Sequence, residues 1–176
     1  TNSWIKVLTF KNQLFAFSKG EGIYQYNDET DSFSAVEIWN KSLLDNTLND
    51  IYNYNDSTLF VATNKGVYSY DNLENGTTNK ILTDKIVSSI FCEDLHQIWA
   101  GTRGEGLYGI SITNEKDQVI KNYRNNTFDL NSISSDMIFD IFQDFSGNIW
   151  ITTEEGVSYF DPLKQNFSLV TNNIGG

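Results

Sequence analysis

The residues that could carry out catalysis in this chain are few. Among its 176 residues are one histidine, His96, and one cysteine, Cys92. Cys92 lies in the apolar run IVSSIFCED, which predicts a small buried side chain, and a lone cysteine cannot form an internal disulfide. His96 lies in EDLHQ, a predicted turn, so a catalytic triad, a Cys-His pair or a metal site would have to be built around one solvated residue. We therefore predict no catalytic residue, no metal site and no cofactor.

Carboxylates offer the other route to chemistry. Glycoside hydrolases act with paired Asp or Glu side chains, and the stretch QDFSGNIW superficially resembles the Asp box of some propeller glycosidases. The spacing differs, because two residues separate Asp144 from Gly147 and Ile149 stands where that box has Thr. We interpret Asp144 and Asn148 as turn residues whose side chains bond nearby backbone amides. Asp94, at the equivalent place in EDLHQ, supports this structural interpretation.

Composition excludes several classes of partner. The formal charge of -11 repels nucleic acid and anionic lipid headgroups, and Lys and Arg are scattered singly along the chain. Aromatic residues make up 14% of the sequence, which is enough to fill a folded core. No apolar run approaches the roughly 18 residues that would span a bilayer. We expect a folded domain with no nucleic-acid partner and no direct membrane insertion.

A repeated unit organises the whole chain. Four stretches share an apolar pair, a short polar loop and a glycine: LFAFSKGEGIYQY, LFVATNKGVYSY, IWAGTRGEGLYGI and IWITTEEGVSYF. The shared glycines are Gly22, Gly66, Gly106 and Gly156, which are 44, 40 and 50 residues apart. Such a period occurs in propeller blades and in helical solenoids. Because the apolar residues alternate or run continuously between turn residues, without helical spacing, they predict strands.

Each repeat divides into four strands. In the last repeat these are MIFDIFQ, NIWITT, GVSYFD and NFSLVTN, and the same order recurs upstream. We predict an all-β fold, a β-propeller segment over residues 1–176 with four four-stranded antiparallel blades at approximately 3–46, 47–85, 86–136 and 137–176. Gly20, Gly104 and the four repeated glycines are predicted to have positive φ at the turns between second and third strands.

The third and fourth repeats resemble a known family. SIFCEDLHQIWAGTRGEGLYGI and IFQDFSGNIWITTEEGVSYFDP are similar to the regulator-propeller repeat, whose pattern is a strand, Asp, Gly-Asn, Ile-Trp-Ile-Gly-Thr and then Gly-Leu. The first two repeats differ, with Phe15 and Phe60 in place of Trp. The resemblance implies a non-catalytic, periplasmic sensor segment of a hybrid two-component protein of the Bacteroidetes type, in which histidine kinase and response regulator share one polypeptide. It also implies an oligosaccharide signal, a homodimeric parent, and a larger propeller of which this chain is a fragment, covered by the remaining blades or by a second copy.

Ligand binding is predicted on one face of the propeller, where the loops between second and third strands and the loops between blades emerge. The candidate residues are Lys19, Glu21, Trp39, Lys65, Arg103, Glu105, Arg124, Glu154 and Glu155. Arg103 is suited to a bidentate clamp on a carboxylate or sulfate, and Trp39 or Tyr123 to stacking on a sugar ring. The long connection YRNNTFDLNSISSD has the extra length that is typical of a binding loop.

Two other functions stay open at this point. A protein-interaction scaffold would present an exposed apolar patch on these loops, which are mostly charged or rich in Asn. A propeller hydrolase or lyase would need two convergent acids or an essential histidine. Trp99 and Trp150 hold matching positions in the second strands, and we interpret them as packing residues between blades rather than as a sugar platform.

Overall fold

The computed structural model describes residues 5–19, 21–37, 47–54, 56, 58–70, 78–94, 96–114, 117–161 and 166–170. Within these ranges the chain forms β1 Ile5–Phe10, β2 Gln13–Ser18, β3 Gly22–Asn27, β4 Ser32–Ala35, β5 Leu48–Asn53, β6 Leu59–Thr63, β7 Gly66–Tyr70, β8 Thr78–Thr83, β9 Val87–Asp94, β10 Gln97–Thr102, β11 Leu107–Asn114, β12 Asp117–Tyr123, β13 Ile138–Gln143, β14 Ile149–Thr153, β15 Gly156–Asp161 and β16 Asn166–Val170. No helix in the described part of the chain has the length and hydropathy needed to cross a membrane.

The strands form four four-stranded sheets, and in each sheet the strands pair in chain order. We number these sheets blades 1 to 4, so that blade 1 contains β1–β4 and blade 4 contains β13–β16. Consecutive strands run antiparallel, as in the pairing of β13 with β14 and of β14 with β15. The predicted all-β propeller fold with four four-stranded antiparallel blades is confirmed.

Burial explains why the second strands are so apolar. All five residues of β6 are buried, and in β10 only Gln97 is not. A strand covered on both faces reads as a continuous apolar run, which is the pattern of LFVAT and IWAGT. In β14 buried and half-buried residues alternate, because one face packs into a core and the other carries the half-buried Trp150.

The outermost strand of blade 1 is short. It is the four-residue strand β4, which ends at Ala35. All four residues of β4 are exposed, whereas the next residue, Val36, is half-buried against the core and its amide donates to Ile23 O of β3 at 2.9 Å.

The chain divides into two compact units, Thr1–Ile90 and Phe91–Gly176. The core of the first unit draws on both of its blades and contains Phe10, Phe15, Phe17, Ile23, Leu48, Ile51, Leu59, Val61 and Tyr70. An ion pair also joins the first strands of these blades, since Lys6 Nζ lies 2.8 Å from Asp50 Oδ1. Asp50 Oδ2 in turn accepts the Ile90 amide at 3.0 Å. The carboxylate of Asp50 therefore fixes the mutual position of these backbone segments.

The core of the second unit lies between blades 3 and 4. Its buried residues are Trp99, Leu107, Ile133, Ile138, Ile141, Ile149, Ile151, Phe160 and Phe167. The Trp99 ring is 5.9 Å from that of Tyr123 and 5.3 Å from that of Phe160, which belongs to blade 4. The predicted inter-blade packing of Trp99 is confirmed. The ring contact of Trp150 lies within its own blade, on Tyr159 at 5.4 Å.

The turns between second and third strands need glycine, as predicted. The φ angles of Gly22, Gly66, Gly104, Gly106 and Gly156 are all positive, whereas Gly20 lies outside the described residues. At Gly106 a Cβ would come within 2.2 Å of the Tyr123 carbonyl oxygen, so no side chain fits there without moving the backbone of β12.

Candidate functional site

Within each unit the turns between second and third strands are hydrogen-bonded to the connections between blades. In the first unit the Asn64 amide donates to Thr47 O at 3.1 Å, and the Asp84 amide donates to Lys65 O at 2.9 Å. In the second unit the Gly104 amide donates to Asp136 O at 3.0 Å. The two kinds of loop thus lie side by side in each unit.

In the second unit these segments form what we call the loop face, made of the turns 103–106 and 154–155 and the connection 124–137. Arg103 forms a backbone bridge with Met137, and the Glu154 amide donates to Met137 O at 3.1 Å. One backbone segment therefore joins both turns. The loop face carries five of the predicted residues, namely Arg103, Glu105, Arg124, Glu154 and Glu155.

The predicted residues of the first unit are Lys19, Glu21 and Lys65. Lys19 is half-buried, and Glu21 and Lys65 are exposed. Glu21 accepts a 3.0 Å hydrogen bond from the Ser18 hydroxyl across its own turn. Trp39, the remaining predicted residue, lies outside the described residues.

A buried threonine hydroxyl, which is not among the predicted residues, fixes three of the four turns. Thr102 Oγ1 donates to Gly106 O at 2.7 Å and accepts the Glu105 amide at 3.0 Å. Thr153 makes the same pair of bonds to its own turn, at 3.1 and 3.2 Å. So does Thr63, at 3.0 and 3.1 Å. The signal was present in the aligned repeats, where these threonines end every second strand but the first.

Arg124 is engaged inside the protein. Its Nε donates to Asp136 Oδ2 at 2.9 Å, and its Nη2 reaches the same oxygen at 2.7 Å. The other oxygen of Asp136 accepts the Asn125 amide at 2.7 Å. Because this ion pair joins the two ends of the connection 124–137, it holds the base of the loop closed.

Arg103 differs from Arg124 in having no such partner. Its side chain is exposed, and its guanidinium makes no hydrogen bond or ion pair with another described residue. Its own backbone bridges Met137, and the amide of the next residue, Gly104, donates to Asp136 O at 3.0 Å. Arg103 is therefore a positive charge on a fixed backbone, with its bidentate donors available to an anion.

Tyr123 belongs to the core, not to the loop face. Its ring is half-buried and lies 5.7 Å from the ring of Phe160 and 5.1 Å from that of Phe167, in addition to its contact with Trp99. The ring is therefore occupied by packing contacts and unsuited to the sugar-stacking role for which we considered it on the loops.

The long connection is ordered by its own hydrogen bonds. The Asn125 side chain donates to Ile133 O and Ser134 O, both at 2.8 Å, and Ile133 is fully buried. At the tip of the loop, Phe128 is 98% exposed and Leu130 92% exposed. Two large apolar side chains are therefore held in solvent by a structured loop, which the mostly polar sequence of the loop did not lead us to expect.

The turn of blade 4 is built around one carboxylate. Asp144 Oδ1 accepts the amides of Ser146 at 2.8 Å and Asn148 at 3.0 Å, and Oδ2 accepts Trp150 Nε1 at 2.8 Å. These bonds, that from Trp150 foremost, lower the pKa of Asp144 to about 2. The structural interpretation of Asp144 is confirmed, and a carboxyl with this pKa is ionised at neutral pH and cannot act as a general acid.

Residues 132–155, which include this turn and Thr153, match the model of the two component regulator propeller family. The predicted resemblance to regulator-propeller repeats is confirmed. No curated protein sequence matches the chain.

Solved structures with the same fold include extracellular domains of two component systems. The extracellular domain described for the hybrid two component system BT4673 of B. thetaiotaomicron is 17% identical, with a TM-score of 0.69 over 93% of this chain and 20% of that one. That of the hybrid two component system BT3049 from the same organism is 20% identical, with a TM-score of 0.70 over 89% and 21% of the two chains. The chain thus spans about a fifth of the length of these structures.

The same fold occurs in a further solved structure. The beta-propeller domain of Cps50 (Swd1) from Myceliophteria thermophila is 14% identical, with a TM-score of 0.65 over 97% of this chain and 56% of that one. The likeness at this level of identity is one of fold.

Blade 3 contains a shortened version of the regulator-propeller turn. Asp94 Oδ1 accepts the amides of His96 at 2.6 Å and Gln97 at 2.8 Å, which confirms the structural role expected for Asp94. Next to it, the Cys92 thiol donates to Asp94 O at 2.7 Å, and burial raises its pKa to about 12. The thiol is therefore protonated at neutral pH and is a poor nucleophile.

Proposed function

We propose that this chain is a sensor segment of a two-component signalling protein, located outside the cytoplasm, that binds an oligosaccharide on its loop face. The observation that carries the proposal is the regulator-propeller match, in which Asp144, Trp150 and Thr153 all serve the fold of the blade. Residues repeated from blade to blade support each blade, so recognition falls to the loops, where the blades differ. The likeness to extracellular domains of two component systems supports the location.

Arg103 is the residue to which we assign ligand contact. Its guanidinium is exposed and without a partner among the described residues, while the backbone around it is fixed by Asp136 and Met137. A rigidly mounted guanidinium loses little entropy when it forms two parallel hydrogen bonds to a carboxylate or sulfate. The ligand that fits it best is an acidic sugar of an oligosaccharide.

The segment acts by binding, not by turnover. Cys92 is protonated at neutral pH, Asp144 is bonded within its turn, and the His96 side chain is 75% exposed. In such a sensor the ligand binds one arrangement of the parent protein more tightly than the other. A nearly complete switch needs a difference in binding free energy of about 5.5 kcal/mol between the two arrangements.

The test is calorimetric titration of the purified protein with neutral and acidic oligosaccharides. We expect saturable binding of an acidic member, weakened by Arg103→Ala and unchanged by Lys80→Ala, a matched loss of one exposed charge on β8. The same mixtures are analysed for cleavage, with His96→Ala as a further variant. Absence of binding across the panel would overturn the proposal, and turnover that is lost in His96→Ala would replace it with a hydrolase or lyase.

A second function is favoured by Phe128 and Leu130, which stand almost fully exposed at the tip of the ordered connection. Paired apolar side chains held in water are typical of a surface that another protein covers. The partner we propose is a second copy of this protein, in agreement with the homodimeric parent that the family resemblance implies.

Sedimentation velocity tests this second function. The protein should show a concentration-dependent dimer, and Phe128→Ser with Leu130→Ser should shift it to monomer without changing its circular dichroism. Val119→Ser, at another exposed apolar residue, is the control. A dimer that survives the double substitution would show that the loop tip is not the contact.

A further inference from the structure

One face of blade 4 carries a row of aromatic residues. Phe142 of β13 pairs with Trp150 of β14, and Trp150 pairs with Tyr159 of β15. Ile141 and Ile151, their neighbours along the strands, belong to the core between blades 3 and 4. Because successive side chains of a strand point to opposite faces, the aromatic row lies on the face turned away from that core. We call this surface, with Phe142, Trp150 and Tyr159, the outer face.

The same row is buried in the other blades. The equivalents of Trp150 in the aligned repeats are Phe15, Phe60 and Trp99, and all three are buried. In blade 3 the following blade covers the row, because the Trp99 ring lies 5.3 Å from the ring of Phe160. In blade 1 Phe15 likewise shares a core with residues of blade 2. The face that bears this row is therefore one that a neighbouring structure covers.

On blade 4 this face is exposed. The aligned stretches SIFCED and DIFQD place Phe142 at the position of Phe91. Phe91 is half-buried and packs against the core between blades 3 and 4, whereas Phe142 is 61% exposed. Phe139, on the same strand, and Phe145, in the turn after it, are exposed as well. The outer face thus has the composition of a covered blade face and the exposure of a free surface.

The loop tip with Phe128 and Leu130 is too small to hold a dimer by itself. A buried aromatic side chain removes about 150–250 Å² from water, so two apolar side chains supply at most about 400 Å². A stable interface buries about 800 Å² on each partner. The second copy that the tip contacts must therefore cover further apolar surface of the same protein.

Within the second unit the outer face is the surface best suited to this role. Other exposed apolar residues of that unit occur as consecutive pairs in a strand, namely Val119 with Ile120 and Leu169 with Val170. The two members of such a pair point to opposite faces of their sheet and form no common surface. The aromatic row of the outer face does form one, since the Trp150 and Tyr159 rings lie 5.4 Å apart.

The tip is ordered before any partner arrives. The Asp129 amide donates to Asn126 O at 2.9 Å, and the Ser132 amide donates to Asp129 O at 3.0 Å. The Asn126 amide donates to Ser132 Oγ at 2.9 Å. A segment that is already ordered loses little conformational entropy when it docks. The tip therefore presents its two apolar side chains in a form that is ready to pack.

We propose that the loop tip of one copy packs against the outer face of blade 4 of a second copy, and the reverse. A two-fold dimer uses each contact twice, because residue i of one copy meets residue j of the other and j meets i. Each copy then buries both its tip and its outer face, which together approach the area that a stable dimer needs. Contact between the two tips alone would leave both outer faces in water. This inference rests on the second function proposed above and names the surface that receives the tip.

Charge determines how salt affects this dimer. Each copy has a formal charge of -11 and repels the other. Asp129, between the two tip residues, and Asp140, on the strand of Phe142, add local repulsion. Salt screens this repulsion, so the dimer should become tighter when sodium chloride is raised from about 50 mM to about 500 mM. A dimer held by ion pairs would become weaker.

Sedimentation velocity of Phe142→Ser is the first test. We expect the dissociation constant of the dimer to rise by about tenfold or more, as it should for the double substitution at the tip. Val119→Ser, at an exposed apolar residue of β12, should leave the constant unchanged. Because Phe142 is largely exposed, the circular dichroism spectrum and melting midpoint should stay those of the wild type.

Disulfide trapping identifies the two surfaces directly. A mixture of Leu130→Cys and Phe142→Cys should form an intermolecular disulfide under mild oxidation, whereas neither variant should do so alone. Val119→Cys mixed with Leu130→Cys is the control. The native Cys92 takes no part, because it is 2% exposed.

The outcomes separate this inference from the second function. A dimer that is lost with the tip substitutions but kept in Phe142→Ser would overturn the outer face as the receptor and leave the second function standing. A disulfide in Leu130→Cys alone would do the same, since the two tips would then meet each other. A protein that stays monomeric at every concentration would overturn both, and would leave the outer face to a further blade of a longer chain.

Discussion

Nε1 of Trp150 donates a 2.8 Å hydrogen bond to Oδ2 of Asp144, six residues earlier in the chain. The bond joins the turn after β13 to the second residue of β14, and the backbone amides of Ser146 and Asn148 donate to the other oxygen. The Trp and the Asp of the regulator-propeller repeat are thus two halves of one contact, and neither is available for chemistry.

Asp144→Asn is expected to lower the thermal unfolding midpoint most strongly at neutral pH. The pKa of Asp144 falls from 3.8 to about 2 in the folded chain, mainly because of the bond from Trp150 and then that from Asn148. A carboxyl with a lowered folded pKa stabilises the fold above its unfolded pKa, and this contribution is lost as the pH falls from about 4 to about 2. Circular dichroism melts of wild type and variant should therefore differ at pH 7 and converge near pH 2.

Trp150→Phe separates the indole bond from the other bonds to Asp144. The hydrogen bond from Trp150 is the largest cause of the lowered pKa of Asp144. Its loss should raise this pKa toward its ordinary value, which NMR titration of the carboxyl carbon measures. A pKa that stays at about 2 in this variant, or a melting difference that persists unchanged to pH 2, would contradict this account of the turn.

Thr153→Val should destabilise the protein by about 1 kcal/mol, because it removes the part-buried hydrogen bonds to the Gly156 carbonyl and from the Glu155 amide. Thr153 is 6% exposed, and its hydroxyl serves both Gly156 O and the Glu155 amide. Thr152→Val is the matched control, since the neighbouring hydroxyl makes only an exposed 3.4 Å contact with Asp140 O. Urea denaturation measures both, and equal losses in the two variants would rule out the turn-fixing role.

The strands were predictable because their signals are local and repeated. Period-two patterns and glycines at each turn occur four times, so each repeat supports the interpretation of the others. Positive φ at Gly66 or Gly156 follows from the turn alone. The role of Asp144 was also predictable, since its partners lie within six residues.

Whether each candidate site residue is exposed or paired within the protein was not predictable in this way. Arg103 and Arg124 look alike in sequence, but Asp136 pairs with Arg124 and leaves Arg103 exposed. The sequence predicts Tyr123 as a loop aromatic, but in the structure Phe160 and Phe167 of blade 4 pack against its ring. Such outcomes depend on contacts between distant parts of the chain, which a pattern of residue types does not specify. The ligand-binding roles of the nine candidate residues stay predictions.

Gly66→Ala should be far more damaging than Gly147→Ala, although both glycines have positive φ. At Gly66 the φ is +135°, and an added Cβ would lie 1.8 Å from Leu82 O, so the backbone of β8 would have to move. At Gly147 the φ is +86° and no atom lies within 4 Å, which leaves only the strain of the left-handed conformation, about 1–2 kcal/mol. Urea midpoints compare the two, and a Gly66→Ala midpoint equal to that of Gly147→Ala would show that blade 2 can relax around the new methyl group.

Cys92 should react very slowly with a disulfide reagent in the folded protein. Burial, followed by the charges of Asp94 and Glu93, raises the pKa of the Cys92 thiol to about 12, so at pH 8 only about one thiol in 10,000 is a thiolate. The side chain is also 2% exposed and lies inside β9, so labelling requires local opening of blade 3. The labelling rate, followed by absorbance, should rise with urea in parallel with unfolding. Rapid labelling of the native protein, at the rate of a small-molecule thiol, would mean that Cys92 is reachable and activated, and would reopen the question of a cysteine nucleophile beside His96.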